Sequence, residues 1–277
     1  MGDPPLASPL ARPVDSPAGP PTVALAAYPS VALSRSAALS DLAIIVAVLG
    51  MFTALSLFTR LPLLFVDWLP RGGMYLWVLA NGLLSLLTIG VLLRRHRQGV
   101  ASVGVNHVPV GRILVATVLA LPACFAAGAI SNIAVTVASG SDIESFARDR
   151  VEFFGEVSNI PIGWILPIAL FVGIYEEILF RGFALSRLRV LCGSNAAAIV
   201  VTSIAFGMVH FEQGLTGMIQ TGLIGLILAT VATYTGSLWP AILTHASIDT
   251  LSLVVSAVFR DDMQEFLRQL TTTAPAP

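Results

Sequence analysis

Lysine is absent from this chain, and charge of either sign is scarce: 15 basic residues, all arginine, and 16 acidic ones among 277, for a net charge of −1. Only 11% of residues are charged while 56% are apolar, against roughly 25% and 45–50% in a soluble globular domain. So few charges cannot clothe a water-facing surface, which excludes an ordinary soluble enzyme and a disordered chain. A balance of −1 supplies no basic footprint for phosphates, which excludes a nucleic-acid binder. Cysteine is nearly missing too. Cys124 and Cys192 stand far apart, with no CxxC or Cys/His spacing, so they read as two small buried hydrophobes rather than a disulfide or a catalytic thiol. There is no HExxH, and the N-terminus lacks the charged start and continuous apolar run of a signal peptide.

What the chain does have is long apolar runs. A helical span needs about 20 residues to cross about 30 Å of hydrocarbon. Seven segments qualify by composition: Leu42–Phe58 (with a bent continuation towards Phe65), Met74–Leu93, Ile113–Val137, Pro161–Phe180, Asn195–His210, Leu215–Tyr234 and Leu238–Phe259. The expectation is an all-α, polytopic membrane bundle of about seven transmembrane helices. Residues 1–36 hold 8 of the 17 prolines and read as a disordered Pro/Ala-rich tail. Residues 37–160 read as three N-terminal spans plus a polar interfacial segment at 138–160. Residues 161–259 form a separate core of four spans, and 260–277 a short amphipathic end and tail.

Arginine in short loops sets orientation. With seven spans, Arg94, Arg95, Arg97 and Arg112 fall on the same side as Arg187 and Arg189. That side is then cytoplasmic, with the N-terminus inside. Arg60, Arg71, Arg148 and Arg150 on the other side weaken the bias. Arg187 and Arg189 read as topology determinants, and His96 and His107 as loop residues without a role.

Ionisable groups inside apolar spans are the informative anomaly, because each is costly there unless paired or wetted. They concentrate in the last four spans. The fourth ends in Glu176, Glu177 and Arg181 (GIYEEILFRG), the fifth in Phe206 and His210 (FGMVH), and the seventh carries His245 and Asp249 (THASIDT). Phe206 and His210 are four apart, as are His245 and Asp249, so each pair shares a helix face. Glu177 and Arg181 are also four apart, acid first, and read as a structural ion pair. Glu176, about 100° around the helix, is left as the working carboxylate. Gly222 and Gly225, on a sixth span without ionisable residues, read as close-packing positions.

One carboxylate and two imidazoles on three neighbouring helices suit water activation. The carboxylate takes a proton from water and an imidazole orients the water or serves the leaving group. His245 and Asp249 suit an oxyanion-stabilising or tautomer-fixing pair. A second possibility is Zn²⁺ held by Glu176, His210 and His245 with an open position for water. The residues themselves leave both open. The simpler alternatives are an interfacial salt bridge at Glu176 and Glu177, an interfacial His210, and a helix–helix hydrogen bond at His245 and Asp249.

The three motifs, E-E-x-x-x-R at Glu176–Arg181, F-x-x-x-H at Phe206–His210 and H-x-x-x-D at His245–Asp249, together resemble those of the CPBP intramembrane protease family. That family joins type II CAAX prenyl proteases with bacterial bacteriocin-processing and self-immunity proteins. The likeness covers Pro161–Phe259, about a third of the chain, with all three motifs in order. It implies a helical membrane peptidase with a water-filled cavity open to the cytosol. By position, Glu176 and His210 match the water-activating pair, and His245 and Asp249 the oxyanion pair. Family members often carry Asn at that last position. An ionised Asp cannot donate to an oxyanion, so Asp249 is either protonated or orients His245.

The function expected is hydrolysis of peptides or protein tails presented at the membrane by glutamate/histidine-activated water, with metal assistance left open as in a metalloprotease. The lysine-free, Ala/Arg-rich composition points to a bacterial plasma membrane. The rivals are a non-proteolytic scaffold or bacteriocin-immunity protein that keeps the motifs for structure, and a proton-coupled transporter using the same residues as a relay. The first would survive Glu176→Ala unchanged or simply unfold. The second lacks a matching polar set in the first half of the chain.

Overall fold

The computed structural model describes residues 32–59, 73–140 and 161–259, together with Asp261, Asp262, Glu265, Arg268 and Gln269. The expected tail, the continuation towards Phe65 and nearly all of the segment 138–160 lie outside these residues, as does much of the C-terminal end.

Among the described residues the chain is helical, without strands. The principal helices are α1 (Arg35–Thr59), α2 (Gly73–Arg95), α3 (Val110–Ser139), α4 (Ile162–Cys192), α5 (Asn195–Val209), α6 (Gly214–Thr235) and α7 (Trp239–Val258). Each of the seven apolar runs becomes one of them. In hydrocarbon every backbone polar group must be satisfied within its own segment, which a helix does. Six have the length and apolarity to cross a membrane, and α5, at 15 residues, is the shorter one. At 1.5 Å per residue α5 covers only about 22 Å, so the seven expected spans resolve into six and one short apolar helix.

Local signals set the boundaries. Ser194 caps α5 by accepting from the Ala197 N–H at 3.3 Å. Gly193 and Gly236 close α4 and α6 in the left-handed region, with φ of 66° and 69°, where a glycine carries no steric penalty.

Helix α4 is longer than its apolar run. It is α-helical through Glu177, widens to a π segment at Ile178–Ala184, and resumes as α-helix to Cys192. Such a π segment re-aims the side chains that follow it, and is frequent at functional sites. The continuation buries Arg187 completely, against Asp41 of α1. Arg187 is therefore not a loop charge that reports orientation, and Arg94, Arg95, Arg97 and Arg112 remain, all exposed. Cys192 is likewise exposed at the end of α4, not buried, whereas Cys124 is buried in α3.

Helix α7 lies along α4, α6 packs on both α5 and α3, and α1 and α2 lean on α4. Helices α5 and α6 approach closely. A Cβ on Gly207 would sit 2.5 Å from the Met218 carbonyl oxygen, whereas one on Gly222 would meet only ordinary contacts. The close-packing glycine of this pair is Gly207. On Gly225 a Cβ would press on Arg181 and Phe206 at 3.1 Å, so α6 also fixes the floor of the polar cluster described next.

Candidate active site

The ionisable residues of α4, α5 and α7 converge beneath the π segment. Glu177 is fully buried and Arg181 nearly so. Arg181 Nη1 donates to Glu177 Oε1 at 2.8 Å, and the guanidinium lies over the Phe206 ring, 3.9 Å from its centroid. Stacked on an aromatic face and bound to a carboxylate, the arginine is compensated for the loss of water. Glu177 has a second duty that its spacing did not reveal: the same Oε1 lies 2.8 Å from His245 Nδ1 of α7. A carboxylate at that distance accepts, so Nδ1 carries the proton and Nε2 is the working nitrogen.

His245 Nε2 faces Glu176 Oε2 at 3.8 Å and Asp249 Oδ2 at 3.6 Å. Glu176 Oε1 accepts from the Tyr175 hydroxyl at 2.9 Å, while Oε2 is buried without a hydrogen-bond partner among the described residues. The two oxygens of Glu176 thus differ: one is held by the Tyr175 hydroxyl, and the other has only the longer 3.8 Å approach of His245 Nε2. His210 closes α5. Its Nδ1 donates to the Phe206 carbonyl at 2.7 Å, since a carbonyl can only accept, and this leaves Nε2 as an acceptor. Phe206 is the common neighbour, with its ring centroid 4.7 Å from His210, 5.0 Å from Phe180 and 5.9 Å from His245.

Glu176 and His210 share one wall of a cavity of about 260 Å³. The opposite wall comes from α1 and α2, including Leu49, Phe52, Trp77 and Asn81. Phe52 and Trp77 meet edge to face at 4.9 Å. His245 and Asp249 do not line this cavity and reach Glu176 from behind, out of α7.

Among the described residues no three His, Cys, Asp or Glu side chains are arranged to hold a metal ion. The expected set of Glu176, His210 and His245 shows why. The second nitrogen of His245 lies 3.8 Å from Glu176 and 3.6 Å from Asp249, and Glu176 and His210 line a cavity that His245 does not border. In this arrangement the residues do not fit a zinc site.

Residues 158–251 match the family model of the type II CAAX prenyl endopeptidases, Rce1-like. The matched segment runs from just before α4 into α7 and contains Glu176, Glu177, Arg181, Phe206, His210, His245 and Asp249. It coincides with the span over which the motifs resemble CPBP proteases. The Rce1-like match supports a CAAX-type intramembrane protease in general, and the apolar helices make the chain a multi-pass membrane protein. Neither a curated protein nor a solved structure matches the chain.

Several contributors had no sequence signal. Tyr175 looks like one more apolar residue before the two glutamates. Asn81 sits in a run of small and apolar residues far from any motif. The shared role of Glu177 depends on where α7 lies, which spacing within α4 cannot report.

Proposed function

We propose that the chain is an intramembrane endopeptidase in which Glu176 activates the attacking water. The observation that carries this reading is the inequality of the Glu176 oxygens. Tyr175 fixes one, and the other is buried without a hydrogen bond among the described residues, on a carboxylate that borders the cavity with His210. A buried acceptor left open is costly in a purely structural group and is what a general base requires.

In the proposed reaction the substrate carbonyl enters the cavity and water sits between Glu176 and His210 Nε2. Oxygen attacks the carbonyl carbon as Glu176 takes the proton. The tetrahedral intermediate then collapses with cleavage of the C–N bond, and that proton passes to the departing amine. His245, its ring set by Glu177 and its Nε2 turned towards Glu176 and Asp249, stands behind Glu176 and positions that carboxylate from α7. Substrates are peptides or protein tails reaching the site along the bilayer, and α1 and α2 shape their entry. The exposed Arg94, Arg95, Arg97 and Arg112 favour placing that end of α2 and α3 on the cytoplasmic side of a bacterial plasma membrane.

The test uses full-length protein and Glu176→Gln in proteoliposomes, with a pool of lipidated and unlipidated peptides read by mass spectrometry. Cleavage by the wild type and none by the variant supports the reading. Equal product patterns from the two would move the assignment to a non-proteolytic membrane scaffold.

A further inference from the structure

Helix α2 lies outside the matched segment, yet it supplies Trp77, Val78 and Asn81 to the wall that faces Glu176. Its approach is close at one position. A Cβ on Gly82 would fall 2.6 Å from the rings of Phe171 and Tyr175, so any larger residue there would have to displace those rings or α2 itself. The residue before it, Asn81, is thereby set on the cavity beside Tyr175 and Glu176. Asn81 Oδ1 is buried and has no hydrogen-bond partner among the described residues.

A buried amide oxygen without a partner costs about 1–3 kcal/mol, and a leucine, of similar branched shape, would line the same wall without that penalty. The cavity's other polar groups explain what a carboxamide adds. Glu176 and Glu212 are carboxylates and His210 offers an acceptor nitrogen, so none of them suits a substrate carbonyl. Thr53 and Trp77 bring donors from the α1 and α2 walls, and the Tyr175 hydroxyl is already given to Glu176. Only an amide side chain presents a donor and an acceptor side by side. An extended peptide backbone presents the matching pair, which is how strands pair at sheet edges.

We propose that Asn81 is a substrate-binding residue whose carboxamide pairs with the peptide backbone next to the scissile bond, holding it against Glu176. The proposal rests on the peptidase reading and extends the site to a helix outside the family core. Binding there orients the substrate before chemistry, so the loss falls on KM more than on kcat.

The experiment uses full-length protein in proteoliposomes and quenched-fluorescent peptides built on a sequence the wild type cleaves. In these peptides each backbone amide near the cut is replaced in turn by an ester, which removes one N–H and weakens one carbonyl. Asn81→Leu is expected to raise KM about five- to tenfold, the worth of a single hydrogen bond, with kcat changed less than twofold and thermal stability equal or higher. One ester position should penalise the wild type by a similar factor and leave Asn81→Leu indifferent. An Asn81→Leu enzyme with wild-type KM and a wild-type ester profile overturns the proposal while the peptidase reading stands. Should Asn81→Leu fail to fold, the ester scan on the wild type with Asn81→Ala decides, and a profile without any position lost in the variant overturns it. No cleavage of any peptide by the wild type would instead sink the peptidase reading, and this role with it.

Discussion

Two buried ionic clusters occupy opposite ends of the logic of this molecule. One joins α1, the end of α2 and the last turns of α4. Asp41 is fully buried, one of its oxygens meets Arg187 Nε at 3.2 Å, and the other meets His96 Nε2 at 2.9 Å. Arg187 also donates to Gln98 at 2.8 Å and Ser186 at 2.9 Å, and it stacks on Phe183. The second cluster is the candidate active site, where Glu176 Oε2 and Glu177 Oε2 are buried without hydrogen bonds among the described residues and the Asp249 side chain is 30% exposed. The first cluster closes on itself, whereas the second leaves carboxylate oxygens buried without hydrogen-bond partners among the described residues, one of them on the cavity-lining Glu176. Burial of charge is common to both, so it cannot by itself mark a functional site. Unspent acceptors beside a cavity mark it better.

That contrast can be broken by substitution. The largest effect is expected at Glu176→Gln, which keeps shape and the Tyr175 contact and should lower peptide turnover by about 10²- to 10⁴-fold while the unfolding temperature moves little. A fall in stability matching the fall in activity would make Glu176 structural like Asp41. Asp41→Ala should behave oppositely, because it strands Arg187 in the interior. A loss of about 3–5 kcal/mol is expected, seen as a lower unfolding midpoint in detergent. Activity per folded molecule should be near normal, and a folded but inactive Asp41→Ala would join the clusters in one mechanism.

Smaller effects sharpen the picture. Gly207→Ala forces α5 from α6 and, through Phe206, disturbs the setting of His210. Overpacking of this kind costs about 1–3 kcal/mol, and Gly222→Ala, with ordinary space around it, should cost much less. Equal stabilities for the two variants would mean that the α5–α6 contact gives way freely. Tyr175→Phe is expected to do least. It removes one hydrogen bond to Glu176, worth about 0.5–1.5 kcal/mol, and should reduce kcat severalfold without changing the unfolding midpoint. An unchanged kcat would show that Glu176 is held well enough by its neighbours.

Much of the fold was legible because it follows from local rules. Each apolar run became a helix since an isolated backbone in hydrocarbon has no other way to satisfy its polar groups. The motif pairs were legible for the same reason, as positions four apart share a face whatever surrounds them. The length of α4 was not legible. Arginines at 187 and 189 looked like the end of a span, yet Arg187 continues inward because Asp41, 146 positions away, receives it. His96 was passed over on the same ground, since its partner also comes from α1. Asn81 carries no local mark at all.

What the amino-acid sequence determined alone is the helical membrane character, the order of the helices and the face that each motif residue occupies, because these depend on composition and on the 3.6-residue turn. What only the tertiary structure decided is which charge meets which. Glu177 serves both Arg181 and His245, Arg187 belongs to Asp41, and Asn81 borders the cavity of Glu176. The reason is physical: electrostatic and hydrogen-bond partners are chosen over a few ångströms, and that distance is set by glycine-permitted helix approaches such as Gly82 on Tyr175 and Gly207 on Met218, not by separation along the chain.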